Sequence, residues 1–382
     1  MVRGSYLVVL GLSACWMGAT QEAYAEHRGL RHGRSTSREV LSVMSVAAQS
    51  SDRPSAGDTG EAPARQSVAD IKTAVTDVIR RVNVPPDGQT PADPARETVD
   101  EGTTPPATQQ VAATPVEQVI HTDYKAAMEE AAEDRKMLLI YFHEGDQNAA
   151  HRAFERETLS QLEIKEKLRR YVVVKLPRDA KITHQGKSIE LLKHPAFAEM
   201  LGRQGVAVID LVHERAEYYG HVVSTFPFSP GRFYRAAALS IILDLPPGTL
   251  TQRTMIYAVR IHPEGPASTQ GQMHTALIDE ARKHAVYQAS IQVQGHHSWD
   301  TRFQRINAKL PSGVLAQEVV AESWPHENLV EACIDCVHSW RQSPGHWGAV
   351  LSRHPLFGYD IKRGRNGIWY ATGIFGKRRG MN

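Results

Sequence analysis

With 382 residues the chain has room for two domains of ordinary size plus tails. Its formal net charge of +2 leaves no electrostatic footprint for nucleic acid, and three cysteines cannot build a disulfide scaffold. The fold must therefore stand on a hydrophobic core, and the basic ending Lys377-Arg378-Arg379 reads as a solvated tail.

The chain opens with an export signal. Arg3 supplies a charged start, Leu7 to Ala19 is an apolar run too short to span a bilayer, and Ala23-Tyr24-Ala25 is a cleavage site before Glu26. Residues 1–25 are thus read as a signal peptide, which implies a secreted or periplasmic location. Leu12-Ser13-Ala14-Cys15 resembles a bacterial lipoprotein box, and the alternative is a lipoprotein anchored through Cys15. No later segment is long and apolar enough for a transmembrane span.

Residues 26–115 are rich in Ala, Ser, Thr, Pro and charge and read as a disordered, low-complexity linker. Within it Val68, Ile71, Val75, Val78, Ile79 and Val82 recur at helical spacing, which permits a transient helix or one that docks on a partner.

Order is expected from about Val119. Tyr124, Ala127, Met128 and Ala131 line one helix face with Thr122 as N-cap, and Met137 to Phe142 is a buried strand. A polar turn follows, then helices carrying Ala153, Phe154 and Leu159 and then Leu162, Ile164 and Leu168. Tyr171 to Leu176 is a second strand. Pro195 opens a helix with Phe197 and Met200, Val206 to Asp210 and Gly220 to Val223 are strands, and a last helix runs from Pro230. This alternation is an α/β layer.

Over Val119 to Leu245 the pattern resembles the thioredoxin-like family, through Leu139-Ile140-Tyr141-Phe142, a short loop and Gln147 to Phe154. The resemblance would place two redox cysteines at Gln147 and Ala150, and Gly205-Val206 at the corner where a proline usually precedes the third strand. A dithiol mechanism needs a thiolate and a resolving thiol, so the resemblance implies the fold of residues 116–245 without the redox activity. His143, Glu144, Asp146 and His151 near the vacated loop read as exposed polar residues, with a hydrolytic or metal site as the alternative.

Leu245-Pro246-Pro247-Gly248 marks a boundary. Thr251 can cap a helix with Met255, Ile256, Ala258 and Val259 inward, although alternation also fits a strand. Leu277, Ala281, His284, Ala285, Gln288 and Ala289 mark a long helix ending near Gly295. His296-His297 invites a metal reading or a loop packed by Trp299. Gly313 to Val320 is a turn and a short apolar element carrying Glu318. A helix from about Leu329 ends at Trp340, and Ser343-Pro344-Gly345 makes a turn that presents His346 beside Trp347. Leu356 to Ile361 and Ile368 to Phe375 are strands joined through Asn366-Gly367, a type I′ hairpin signal.

These last residues carry a second resemblance. The helix ending in Trp340, Ser343-Pro344-Gly345-His346, Gly358-Tyr359, and Trp369-Tyr370-Ala371-Thr372 closing in Phe375-Gly376 look like the CAP superfamily, also called the SCP domain. That family includes cysteine-rich secretory proteins, insect venom allergens, plant pathogenesis-related proteins and bacterial relatives. The resemblance implies an α-β-α sandwich over residues 248–378, with a cleft that usually holds two histidines and two acids. His346 matches one histidine and Glu318 one acid; His297 best matches the second histidine, with His296 the alternate. Arg341, Gln342 and Ser343 stand where the second acid normally lies. The implied ligand cleft is His297, Glu318, Trp340, His346 and Trp347, and the implied metal ligands are His297 and His346, with zinc as the ion.

Cys333 and Cys336 share a face of the expected helix at i, i+3. Packing as small apolar groups, a local disulfide and metal binding are the open readings. The functional expectation is an exported, bacterial-type envelope or extracellular protein that binds or scaffolds a ligand, lipid included. The alternatives are a metal-assisted hydrolase using His297, Glu318 and His346, and thiol redox at the cysteine pair.

Overall fold

The computed structural model describes residues 118–184, 187–378 and 380; the leader, Cys15, the 26–115 segment and its Val68–Val82 pattern lie outside them. The protein is α/β, as its alternating apolar runs predict.

The first lobe contains β1 (Ile120–His121), α1 (Tyr124–Glu133), β2 (Met137–His143), α2 (Ala149–Phe154), α3 (Leu162–Leu168) and β3 (Tyr171–Pro177). A small hairpin of β4 (Lys181–His184) and β5 (Lys187–Glu190) follows, then β6 (Gly205–Ile209), β7 (Val222–Pro227) and α4 (Ala236–Leu243). The sheet runs β1-β3-β2-β6-β7, with β1, β3 and β2 parallel and β6 and β7 antiparallel. Strand residues alternate between two cores because successive side chains leave opposite faces. Leu138, Ile140 and Phe142 pack with Ala127 and Ala131 of α1, while Leu139 and Tyr141 pack with Phe154, Ile164 and Leu239.

Several local features differ from the sequence expectation. Asp123, not Thr122, caps α1, its carboxylate accepting from Ala126 N at 2.7 Å. Residues Glu155–Leu159 continue α2 as a π-helical turn, and the Pro195–Met200 segment is 3-10. The last helix starts at Ala236 rather than Pro230.

The second lobe holds α5 (Leu250–Arg260), β8 (Gln272–Met273), α6 (Thr275–Ile291), α7 (Trp299–Asn307), β9 (Val314–Glu322), α8 (Leu329–Arg341), α9 (Pro344–Leu351), β10 (Leu356–Arg363) and β11 (Trp369–Arg378). Its sheet order is β8-β10-β11-β9. Leu277 and Ala281 of α6 and Ile306 of α7 pack on Ala316 and Ile374 on one face; α5, α8 and α9 cover the other. Gly358 permits the closeness of α6, since a Cβ there would lie 2.5 Å from Ile278 N. Lys377 and Arg378 belong to β11, paired with Leu315 and Val314, and are not a free tail.

The segment that also fitted a strand is helical. Thr249 and Gln252 form a capping box, and eight consecutive residues, Gln252 to Val259, are buried. A helix buried all round lies between two packed layers. The α5 helix does so: Tyr257 packs on Phe226 of β7 at 4.6 Å, and the Arg253 guanidinium, fully buried, donates to Ser224 Oγ at 2.8 Å. One core therefore runs through both lobes across the Leu245–Gly248 boundary. The Asn366-Gly367 turn has only Gly367 at positive φ, so it is not the type I′ turn its dipeptide predicts.

Candidate functional site

β9 is an edge strand of the second sheet, so elements from both faces can meet around it. Glu318 projects from β9 toward the α6–α7 face, and its side chain is 1% exposed. A lone carboxylate at such a place is costly, and it is held by three neighbours. Arg302 of α7 forms an ion pair with Oε2, His296 Nδ1 lies 3.0 Å from Oε1, and His284 Nδ1 of α6 lies 3.4 Å from Oε2. Burial pushes the Glu318 carboxyl up, but the bonds from His296 and Arg302 and the nearby positive charge outweigh it, leaving it below the usual range.

His296 stands in the α6–α7 loop with its side chain 43% exposed. Its other nitrogen, Nε2, is 3.2 Å from Nε2 of His346. His346 is not held out by a turn as Ser343-Pro344-Gly345 predicts. Pro344 is the first residue of α9, so His346 lies in that helix's first turn. Burial, then the neighbouring His296, lowers the His346 pKa, keeping its imidazole neutral at physiological pH.

The loop is fixed from both ends. Gln292 (φ 56°) and Ser298 (φ 51°) are left-handed without being glycine, a conformation that surrounding contacts must maintain. Gln288, buried on α6, accepts from Gly295 N at 3.1 Å and donates to Thr372 Oγ1 at 3.0 Å. His284 also approaches Thr372 Oγ1, at 3.2 Å. Its burial depresses its pKa to about 4, so it is a neutral wall of the site.

The expected cleft thus needs correction at three residues. His297 turns away: its Nε2 meets Val293 O at 3.2 Å and its ring packs edge-on against Tyr287, so His296 takes the place expected of it. Trp340 is fully buried, its ring 5.8 Å from that of Tyr359, and forms core beneath α8. Trp347 points back into the fold, its indole N–H donating to Glu264 at 2.9 Å and its ring 4.6 Å from that of His262. Arg302 and His284 were missed as site residues. Trp299, Phe303 and Ile306 recur at i, i+4 and i+7 on α7, and that spacing reveals the helix that carries Arg302.

Zinc can be tested against this donor set. Two imidazole nitrogens 3.2 Å apart fit two corners of a tetrahedral ion with Zn–N near 2.0–2.1 Å. A third protein ligand is lacking: both Glu318 oxygens are engaged by His296, Arg302 and His284, and no group of three or more His, Cys, Asp or Glu among the described residues can hold a metal. The set does not fit a catalytic zinc.

Cys333 and Cys336 are free, fully buried thiols on α8, with pKa values pushed well up by burial. In the first lobe, Gln147 precedes α2, whose cap is Asn148, and Ala150 is the helix's second residue. His151 is not exposed as expected but buried, its Nδ1 2.7 Å from Tyr141 OH. Glu144 accepts from Asn148 at 2.8 Å and from Arg178 at 2.9 Å, so these polar groups pair among themselves and order the loop.

No family model matches the chain, and no curated protein matches it. Among solved structures, an outer surface protein from Borrelia burgdorferi aligns at 21% identity over 28% of this chain and 78% of its own length, with a TM-score of 0.24. A likeness that slight carries no inference. Among the described residues no helix is long and apolar enough to cross a membrane.

Proposed function

We propose that the chain is an exported protein with a CAP-type second lobe, which binds or scaffolds an envelope component through His296, Glu318 and His346. Its first lobe is read as a thioredoxin-like module that does no dithiol chemistry, since Gln147 and Ala150 stand where the thiols would be needed. The observation that carries the reading is the His296–His346 pair, 3.2 Å apart and anchored on a buried carboxylate that Arg302 neutralises. His296 Nδ1 is bonded to Glu318 and the two Nε2 atoms to each other, so a ligand that replaces the bond between the rings meets one donor and one acceptor at a solvent-facing edge, without the third ligand that a metal-assisted hydrolase requires.

The experiment is co-sedimentation of the purified chain with phosphatidylglycerol–phosphatidylethanolamine vesicles. Retention of the wild type, lost in His296→Ala and in His346→Ala but kept in His297→Ala, supports the reading. No retention, or equal retention in all four proteins, sinks it.

A further inference from the structure

A second pocket lies where the lobes meet, between residues 227–234 of the first and α5 with the start of α8 in the second. Its floor is aromatic and aliphatic: Phe228, Tyr234, Tyr257 and Ile334 are all buried. Tyr234 stands between the other two aromatics, its ring 6.0 Å from Phe228 and 6.2 Å from Tyr257. The pocket is partly open to solvent and offers about 30 Å³, room for the tip of a slender hydrocarbon chain and not for a ring.

The rim is charged. Arg203 is exposed and Arg232 half-buried, and both line the mouth. Among the described residues neither guanidinium makes a hydrogen bond or an ion pair. Arg235, three residues beyond Arg232, is by contrast committed to Glu157. Glu331 also lines the pocket, so among its lining residues two cations face one carboxylate. The N-terminus of α8 is not the attraction, because its first N–H groups are already taken. Leu329 N donates to Glu199 at 3.1 Å, and Val330 N and Glu331 N donate to Asn328.

We propose that this seam pocket binds a small organic carboxylate with a slim aliphatic end. The carboxylate pairs with Arg203 and Arg232, and the hydrocarbon lies on the Phe228–Tyr234–Tyr257 floor. Unpaired guanidiniums that line one pocket are suited to bidentate carboxylate recognition. An inorganic anion would satisfy them while leaving the apolar floor unfilled, and a cation would meet two like charges. Because the walls come from both lobes, an occupant bridges them and raises the stability of the whole unit.

The test is calorimetric titration of the full chain with hexanoate, hexylamine and inorganic phosphate. Saturable hexanoate binding is expected, weaker by about tenfold or more in Arg203→Met/Arg232→Met, as loss of charged hydrogen bonds predicts. Circular dichroism should show that variant folded, since neither arginine holds another residue. Hexylamine should not saturate, and phosphate should bind more weakly than hexanoate. Absence of saturable hexanoate binding, unchanged affinity in the double variant, or hexylamine binding as tightly as hexanoate would each overturn the proposal. The site is separate from His296 and His346, so His346→Ala should leave hexanoate affinity unchanged whatever the vesicles show.

Discussion

Glu318 and Arg302 form an ion pair in which the carboxylate is 1% and the guanidinium 9% exposed, and on that pair rests the orientation of His296. Removing one partner strands the other charge in a desolvated place, which typically costs about 3–5 kcal/mol. Glu318→Gln and Arg302→Met should each lose stability of that order in urea denaturation. The double variant Glu318→Gln/Arg302→Met should lose less than the sum of the two. Additive losses would show that the two side chains do not depend on each other.

The thiols lead to a second prediction. Cys333 and Cys336 are fully buried, so both should resist Ellman's reagent in the folded protein and react once it is denatured. Serine at either position buries a hydroxyl with no arranged partner, at about 1–3 kcal/mol, and alanine should cost less. Neither change should alter vesicle retention, and the protein should not reduce insulin disulfides. Rapid labelling in the native state would contradict the packing role.

How much of this was legible depends on what the residues advertise. Buried strands such as Met137–His143 announce themselves as apolar runs, and the long helix α6 by its periodic Leu277, Ala281, His284 and Gln288. The pattern 255–261 fits helix and strand alike because Met255 to Val259 is an unbroken apolar run, and only its two-sided burial decides. The choice between His296 and His297 was not legible. It follows from left-handed backbone at Gln292 and Ser298, residue types that do not signal that conformation as glycine does. His346 was found, but its place in a helix was hidden by Pro344, which reads equally as a turn or as a first helical residue.

Acidification should destabilise the protein through its buried neutral imidazoles. Burial holds both His284 and His262 at about 4, with like charge from His338 adding to the effect at His262. In the unfolded chain each takes up a proton near pH 6.5, so below that pH the unfolded state binds more protons. Their contribution is fully present above about 6.5 and is lost progressively as pH falls to about 4. Glu318, whose folded pKa is depressed, adds a loss at still lower pH, as it protonates. Urea midpoints at pH 7 and pH 5 should differ in the wild type, and the difference should shrink in His284→Gln and in His262→Gln. An unchanged difference in both variants would remove these histidines as its source.

The last prediction tests whether α6 transmits its position to the site. A Cβ on Gly358 would sit 2.5 Å from Ile278 N and 2.6 Å from Leu277 C, both backbone atoms that no rotamer change can move aside. Gly358→Ala must therefore lift α6 from β10, an overpacking that costs about 1–3 kcal/mol or more. The same helix carries His284 against Glu318 and, through Gln288, holds Gly295 just before His296. Displacing it should separate His296 from Glu318 and weaken vesicle retention as well as stability. The two effects can be told apart by a control of similar cost on a remote strand, such as Val208→Ala in the core of the first lobe. If Gly358→Ala and Val208→Ala lower the urea midpoint equally but only the former reduces retention, the path runs through α6. Equal retention in both would confine the role of Gly358 to packing.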